Sequence, residues 1–232
     1  MVNMLKNMDW SPLFISIKTA ALATFIAFFI GLFTAAKVMK AKPKTKAVVD
    51  GILTLPMVLP PTVMGYMLLL LFSLRRPFGS FLYQNYNLKI VQTWAGCVIA
   101  AVVVSFPLMY RSTRGAFEQI DMNIIYAGQT LGMSNRKIFW KVIIPSAMPG
   151  IVSGTILTFA RALGEYGATS MLAGNIAGKT STISQVIAMV MKDGDYLKAG
   201  IWVIIIMLFA FGIVLIMNLF SENKNASQKR WK

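Results

Sequence analysis

The chain has 232 residues, of which 56% are hydrophobic and 13% are charged, a composition outside the range of soluble globular domains. Its net charge of +15 comes from basic residues in short segments between apolar runs, which indicates membrane topology rather than nucleic-acid binding. Histidine is absent and Cys97 is the one cysteine, so a disulfide framework, a metal cluster and His- or Cys-based catalysis are excluded or nearly so.

Two apolar segments predict membrane spans at residues 13–36 and 48–72, because about 20 apolar residues suffice to cross a bilayer. Five lysines between these segments place the connecting loop in the cytoplasm and the N-terminus outside. The second segment contains Pro56, Pro60 and Pro61, which remove backbone donors and predict a kinked or locally opened helix. Such a helix is either a wall of a transport pathway or a purely structural kink.

A third span is predicted at residues 92–110, with Trp94 near its start as an interfacial anchor and Arg111 at its cytoplasmic end. The fourth span, residues 143–163, carries small residues at a spacing of four, and such a stripe predicts close packing of another helix. The stripe consists of Ser146, Gly150, Gly154, Thr158 and Ala162.

Arg161 and Glu165 lie at and just after the end of this span, and their spacing of four puts them on one helix face. An ionisable pair in a membrane segment is costly unless it is paired, which indicates a functional site; the alternative is a pair at the outer membrane interface. Residues 182–191 are apolar but too short to span, and the last span, 199–220, precedes a polar tail in the cytoplasm. The predicted fold is an all-α polytopic protein of the cell membrane, with about five transmembrane helices in a single domain over residues 1–232.

A polar and basic loop at residues 111–142 separates the third and fourth spans, and the topology makes this loop cytoplasmic. Apolar positions recur at helical spacing up to Gly132, which ends a first helix, and Ser134 can cap a second. The second helix carries basic residues opposite its apolar side chains. Two such helices suit docking onto a partner, or they form an ordinary amphipathic loop.

The segment 126–145 resembles the coupling loop of ABC importer permeases, whose pattern is Glu-Ala-Ala, three residues, Gly, and later a hydrophobic residue before Pro. The tripeptide Tyr-Ala-Gly at 126–128 stands where Glu-Ala-Ala is expected, Gly132 fits the glycine, and Ile-Pro at 144–145 fits the end. There are two departures. Tyr126 removes the family's acid, and the glycine of the tripeptide loosens the first helix by about 1 kcal/mol relative to alanine.

Two longer segments extend the resemblance over nearly the whole chain. LPMVLPPTVMGYMLLLLF in the second span and TFARALGEYGATSMLAGNIAGKTSTI after the fourth are similar to the permeases of molybdate importers. Sulfate permeases share a similar FARALGEYG segment and tungstate permeases are relatives, so these two anions stay open as alternatives. An ion-coupled secondary transporter is disfavoured because the chain shows no internal repeat.

The resemblance implies an ATP-driven oxyanion importer in which two copies of this chain form the pore. Two cytoplasmic ABC ATPase subunits would bind ATP and Mg, and a periplasmic or lipid-anchored binding protein would deliver the anion. The chain lacks the phosphate-loop pattern G-x-x-x-x-G-K-[ST], so neither an enzyme site nor a cofactor is expected in it. The residues expected to couple to the ATPase are Tyr126, Ala127, Gly128, Leu131, Gly132, Ile138, Ile144 and Pro145.

A gate is expected where the second span is broken and where the fourth span ends. Hydroxyl groups and free backbone groups there would pass a dianion without holding it, whereas a dense ring of arginine would trap it. Arg161 would orient the segment that follows the fourth span, and Glu165 would neutralise the charge of Arg161. The gate residues are Pro60, Pro61, Thr62, Arg161, Gly164, Glu165, Tyr166, Gly167 and Thr169.

Overall fold

The computed structural model describes residues 8–229. The N-terminus, predicted to lie outside the cell, and the end of the C-terminal tail, predicted to be cytoplasmic, fall outside these described residues. Between residues 8 and 229 the chain contains helices and no strand, so the all-α prediction is confirmed. A π-helical turn spans Phe139–Ile143 and continues directly into the helix that follows it. The helices are α1 (Ser11–Val38), α2 (Pro43–Val58), α3 (Pro61–Phe72), α4 (Pro77–Tyr86), α5 (Trp94–Glu118), α6 (Met122–Thr130), α7 (Asn135–Ile138), α8 (Ile144–Leu163), α9 (Gly167–Ala173), α10 (Ile183–Lys192) and α11 (Tyr196–Lys229).

Within the described residues, four helical segments are long and apolar enough to cross a membrane. They are α1, α5, the continuous segment Asn135–Leu163 and the first part of α11, Tyr196–Met217. The helices α2 and α3 are together also long and apolar enough for a fifth span, which is bent by 108°. The prediction of about five transmembrane helices is confirmed, and α10 is a short apolar helix, as its sequence indicated.

The bend between α2 and α3 follows from two consecutive prolines. A residue that precedes proline is pushed towards extended backbone, and both Leu59 (ψ 144°) and Pro60 (ψ 136°) are extended. Helix α3 then restarts with Pro61 in its first turn, where the missing N–H costs no intrahelical hydrogen bond. The second span is therefore two helices that meet at a corner.

The helices α1 and α5 run parallel through the centre of the bundle. Near their starts, the Trp94 indole donates a hydrogen bond of 2.9 Å to Thr19 Oγ1, and the Lys18 ammonium lies 4.2 Å from the centre of the indole ring. Further along, a methyl group on Gly31 would lie 2.8 Å from Met109 Cγ. The absence of a side chain at this position lets the two helices approach closely.

Helix α8 packs antiparallel to α5 through its small residues. A methyl group on Gly150 would lie 2.5 Å from Ala116 Cβ, and one on Gly154 would lie 2.7 Å from Ser112 Cβ. Thr158, the next member of the stripe, is fully buried. The core of the bundle is therefore α1, α5 and α8, held by backbone proximity as in other membrane helix pairs.

The short helix α10 lies at the end of the bundle where α1, α5 and α11 begin, and the last turn of α9 reaches the same end, where Gln92 N donates a hydrogen bond to Leu172 O. The Ile183 N–H in α10 donates a hydrogen bond of 2.8 Å to Ser16 Oγ in α1. The ring of Trp202 in α11 packs edge-on against Trp10, with 5.9 Å between ring centres. The helices α6 and α7, which follow the end of α5, lie at the opposite end.

Candidate coupling surface and membrane gate

The corner between α6 and α7 is built by backbone hydrogen bonds around Gly132. Its N–H donates to Gln129 O at 2.9 Å, and the next N–H along the chain donates to Gly128 O at 3.1 Å, which together form a Schellman motif. This motif needs a left-handed residue, and glycine adopts the observed φ of +71° without steric cost. Ser134 Oγ then accepts a hydrogen bond of 3.4 Å from Lys137 N at the start of α7. The predicted helix end and helix cap are confirmed.

Residues 122–138, which we call the corner unit, present apolar side chains at their surface. Leu131 at the corner is 80% exposed and Tyr126 is 55% exposed. Met122 and Ile124 in α6 are also about half-exposed and extend this surface beyond the residues predicted for it. An exposed apolar patch bordered by basic side chains is typical of a surface that binds another protein.

Two of the predicted coupling residues face inwards instead. Ile138 is 2% exposed, and its Cγ1 would lie 3.3 Å from a methyl group placed on the buried Gly128. These residues hold α7 against α6, so their position in the corner unit is internal. Ala127, by contrast, is exposed beside Tyr126. The sequence pattern could not separate inward from outward positions because the Schellman turn sets how the two short helices face each other.

The π-helical turn makes a continuous link from the corner unit to α8. Pro145 would bring its ring against the carbonyl four residues earlier in a regular α-helix. In the wider turn, Ile144 N–H bonds to Phe139 O, five residues back, and the ladder passes the proline without ending. Pro145 is exposed and Ile144 is half-buried at this junction. The second helix of the corner unit is therefore continuous with a spanning helix.

The proline break between α2 and α3 meets the start of α9 in the middle of the bundle. A methyl group on Gly167 would lie 2.9 Å from Pro61 Cβ, and one on Gly65 would lie 2.7 Å from Ala168 Cα. Both α3 and α9 pack against Ala100, which is near the middle of the apolar part of α5. The structure thus brings together the two segments from which the sequence predicted a gate.

Arg161 and Glu165 form an ion pair between the end of α8 and the start of α9. Arg161 Nη1 lies 2.7 Å from Glu165 Oε2, and Glu165 Oε1 accepts a hydrogen bond of 2.7 Å from Ala168 N at the start of α9. The Glu165 side chain is 2% exposed and that of Arg161 is 32% exposed. Ala162 lies in one hydrophobic cluster with Ala101, the eighth residue of α5, so the pair lies inside the bundle in the first part of α5. The burial of Glu165 favours a functional site over an interfacial pair.

Residues 60–62 and 164–169, which we call the mid-bundle site, have an exposed rim and a buried base. Gly167 and Thr169 are buried and do not reach the open surface, and Gly167 lies against Pro61 of α3. Pro61 is half-buried at the contact. The exposed members are Pro60, Thr62, Gly164 and Tyr166.

A groove of about 660 Å³ opens between α5 and α8 on the side of the corner unit. Ser146, Pro149 and Ser153 line it, on a face of α8 that is exposed along its length. Ser146, the first residue of the predicted packing stripe, is thus exposed at the groove instead of buried in a helix contact. Small and polar residues on the open face of a membrane helix favour a protein neighbour or water over lipid.

A cluster of charged side chains joins α2 to the end of α5 and was not predicted from the sequence. Arg114 pairs with Asp50, and its Nε lies 3.1 Å from Glu118 Oε1. Lys46 Nζ lies 2.6 Å from the same oxygen, and the Tyr110 hydroxyl donates a hydrogen bond to Asp50. We call these five residues the Arg114 cluster. A usable signal was the carboxylate at position 50, since the chain has eight acidic residues and this one begins an apolar segment.

These features define a helical membrane permease: a bundle with a proline-broken span and a glycine-cornered pair of helices between two spans. The chain belongs to the family of binding-protein-dependent transport system inner membrane components, whose family model matches residues 27–221. The resemblance to ABC importer permeases stated above is thereby confirmed.

Several relatives are named for the anion they transport. The chain is 40% identical over 179 residues to the molybdenum transport system permease protein ModB of Escherichia coli K12, covering 77% of this chain and 78% of that protein. It is 37% identical over 176 residues to ModB of Haemophilus influenzae, covering 76% and 77%. It is 34% identical over 187 residues to the sulfate transport system permease protein CysT of Salmonella typhimurium, covering 79% and 67%.

Solved transporters share the fold at low sequence identity. The chain superposes on an inward-facing structure of the MetNI methionine ABC transporter with a TM-score of 0.73 and 15% identity, covering 92% of this chain and 94% of that chain. A bacterial ABC transporter that imports alginate gives a TM-score of 0.80 and 13% identity, covering 96% and 82%. These likenesses establish the fold.

Proposed function

We propose that this chain is the pore subunit of an ATP-driven importer for a tetrahedral oxyanion, with molybdate as the favoured substrate. The observation that carries the choice of anion is the 40% identity to a molybdenum permease over 179 residues. Sulfate is the second candidate because a sulfate permease is 34% identical over 187 residues. Tungstate is chemically close to molybdate and is the third anion to test.

In this proposal the corner unit docks on a separate ATPase subunit. The exposure of Leu131 (80%) and Tyr126 (55%) supports it, since an apolar surface of this kind fits a groove on a partner. The chain has no phosphate loop, so ATP and Mg belong to that partner. With Tyr126 in place of the family's acid, the contact depends on apolar packing and the rigid Gly132 corner rather than on a charge pair.

The complete importer contains two copies of this chain, two ATPase subunits and a periplasmic or lipid-anchored binding protein for the anion. The open face of α8 supports the second copy. Ser146, Pro149 and Ser153 leave it small and partly polar, and a neighbouring chain covers such a face better than lipid does. The lysine-rich α1–α2 loop and the corner unit lie on the cytoplasmic side, with the N-terminus outside and the C-terminus inside.

The mid-bundle site is the gate in this mechanism. Thr62 and the backbone freed by the proline break can offer hydrogen bonds to a passing dianion. Arg161 is already paired with Glu165, so it orients α9 and attracts the anion less than a free guanidinium would. Closure of the docked ATPase would move the corner unit and, through the continuous helix Asn135–Leu163, the end of α8 beside the gate.

A reconstituted complex tests this function. The subunit is co-purified with its ATPase, placed in vesicles, and supplied with the cognate binding protein and molybdate, tungstate or sulfate. Stimulation of ATP hydrolysis and uptake by molybdate above the other two anions is the expected result. Preference for sulfate would show that sulfate, not molybdate, is the substrate. Uptake that persists after deletion of every partner ATPase would refute the proposed ATP-driven import.

A further inference from the structure

Helix α2 is held in the bundle largely by the Arg114 cluster. None of its residues is buried, and of its apolar side chains Val49 and Leu53 pack only at the edge of the core formed by α1, α5 and α8. The other contacts that hold α2 against α5 are the ion pairs and the hydrogen bond of Lys46 and Asp50. Ion pairs thus hold α2 against α5, whereas close packing of small residues holds α8 against α5.

The cluster connects the two candidate sites. Helix α2 runs from the cluster to the proline break and hence to the mid-bundle site. Helix α5 ends at Glu118, which belongs to the cluster, and the corner unit begins at Met122. Between them, Asp121 caps α6, because its Oδ1 accepts a hydrogen bond of 2.9 Å from Asn123 N. Besides its continuous link to α8, the corner unit is therefore connected to the end of α5 by residues 119–121, and from there to α2 by the cluster.

The chemistry of the cluster suits a joint that holds one geometry. The planar Arg114 guanidinium contacts carboxylates on both helices, an arrangement that a lysine cannot hold in fixed orientation. The buried Tyr110 donates to the second oxygen of Asp50, so the carboxylate is oriented from two sides. With side-chain exposures of 20% and 23%, Asp50 and Arg114 are screened by salt less than a fully exposed pair.

We propose that Asp50 and Arg114 are positioning residues for transport, which transmit movement of the corner unit to the proline break. The inference rests on the proposed function, because it requires an ATPase that moves the corner unit. Breaking the pair leaves ATP hydrolysis by the partner possible but separates it from opening of the mid-bundle site, so hydrolysis and uptake become uncoupled.

The test measures anion uptake per ATP hydrolysed in vesicles that contain the complete complex. For Asp50→Asn and for Arg114→Gln, we expect hydrolysis to persist while this ratio falls at least about fivefold, the lower end of coupling effects between sites. Asp50→Glu keeps the carboxylate and is expected to retain much of the ratio. Lys44→Gln removes a charge from the exposed side of α2, outside the cluster, and is expected to leave the ratio unchanged.

The double variant Asp50→Asn/Arg114→Gln separates positioning from charge compensation, because it leaves no unpaired charge between the two positions. A ratio that stays low in the double variant supports transmission through the bridge. A ratio restored to the wild-type value, or a wild-type ratio in an assembled Asp50→Asn complex, overturns the proposal. If single variants fail to assemble, the double variant decides. Absence of ATP-dependent uptake in the wild-type complex would instead refute the proposed function.

Discussion

Glu165 is the residue on which the middle of the bundle depends most directly. One carboxylate oxygen pairs with Arg161 and the other accepts the Ala168 N–H, so a single side chain neutralises a charge and starts α9. Glu165 makes both contacts in a position where the whole residue is only 3% exposed, and an unpaired charge at such a buried position costs free energy. The pair therefore fixes the start of α9 against the proline break, and each of the two charges has its partner.

Glu165→Gln is expected to destabilise the protein by roughly 1–3 kcal/mol, the cost of leaving a buried polar group without its partner. Glutamine can still accept the Ala168 N–H, so the loss comes from the unpaired Arg161 guanidinium. Thermal unfolding of the purified subunit in detergent measures the change. An unaltered unfolding temperature would mean that water already solvates this guanidinium.

The double variant Arg161→Gln/Glu165→Gln tests the role of the pair in transport. It carries no unpaired charge, so part of the stability lost in Glu165→Gln should return, while ATP-driven oxyanion uptake should fall because α9 is no longer held in one orientation. Uptake is compared at equal amounts of subunit in the membrane. Unchanged uptake at normal expression would remove the pair from the gate.

The residues that sequence reasoning placed well are those whose signal is local. Gly132 and Ser134 act within a few residues of themselves, and helix-end rules suffice to predict them. Asp50 and Arg114 are far apart in sequence, and their meeting depends on which faces of α2 and α5 oppose each other. The burial of Ile138 could not be predicted for a similar reason, because helical spacing identifies an apolar position but not whether the adjacent helix covers it.

At the scale of the helices, the corner unit depends on one backbone conformation. Gly132→Ala puts a Cβ on a residue with φ +71°, which costs roughly 1–2 kcal/mol for an L-residue in the left-handed region. We expect weaker association with the ATPase subunit in co-purification, with the spans still inserted. Gly132→Asp also puts a charge into the apolar surface of the corner unit, and it is expected to lose ATPase association or transport with the spans still inserted. Gly200→Ala, at an exposed helical position with open space around it, is the control and should not weaken association.

The contact between α3 and α9 depends on Gly65. A methyl group there would lie 2.7 Å from Ala168 Cα and 3.0 Å from Ala168 O, and backbone atoms cannot swing aside as a flexible side chain can. Gly65→Ala is therefore expected to separate the two helices at a cost of about 1–3 kcal/mol, as overpacking does elsewhere, and to lower uptake. Thermal unfolding and vesicle uptake measure the two effects. Gly212→Ala, with open space around its position in α11, should change neither, and an equal loss in both variants would contradict a specific contact.

At the scale of the whole molecule, the bundle is well packed at its centre and open on two sides. Helix α2 has no buried residue, and α8 exposes Ser146, Pro149 and Ser153 beside a groove. Composition and hydropathy predicted the number of spans, because a span is a property of one segment. They could not predict which sides stay open, since that depends on tertiary packing and, in our proposal, on a second copy of the chain.

Membrane orientation can be tested with the chain's own cysteine content. Cys97 is the single cysteine and is fully buried in α5, so a membrane-impermeant maleimide should leave the natural protein unlabelled in intact cells. A cysteine introduced for Asn85, exposed in α4, should be labelled in intact cells because the basic-loop pattern puts this loop outside. One introduced for the exposed Lys44 should react only after the membrane is opened. Labelling of the Lys44→Cys variant in intact cells would reverse the topology and move the corner unit to the side where no ATPase could reach it.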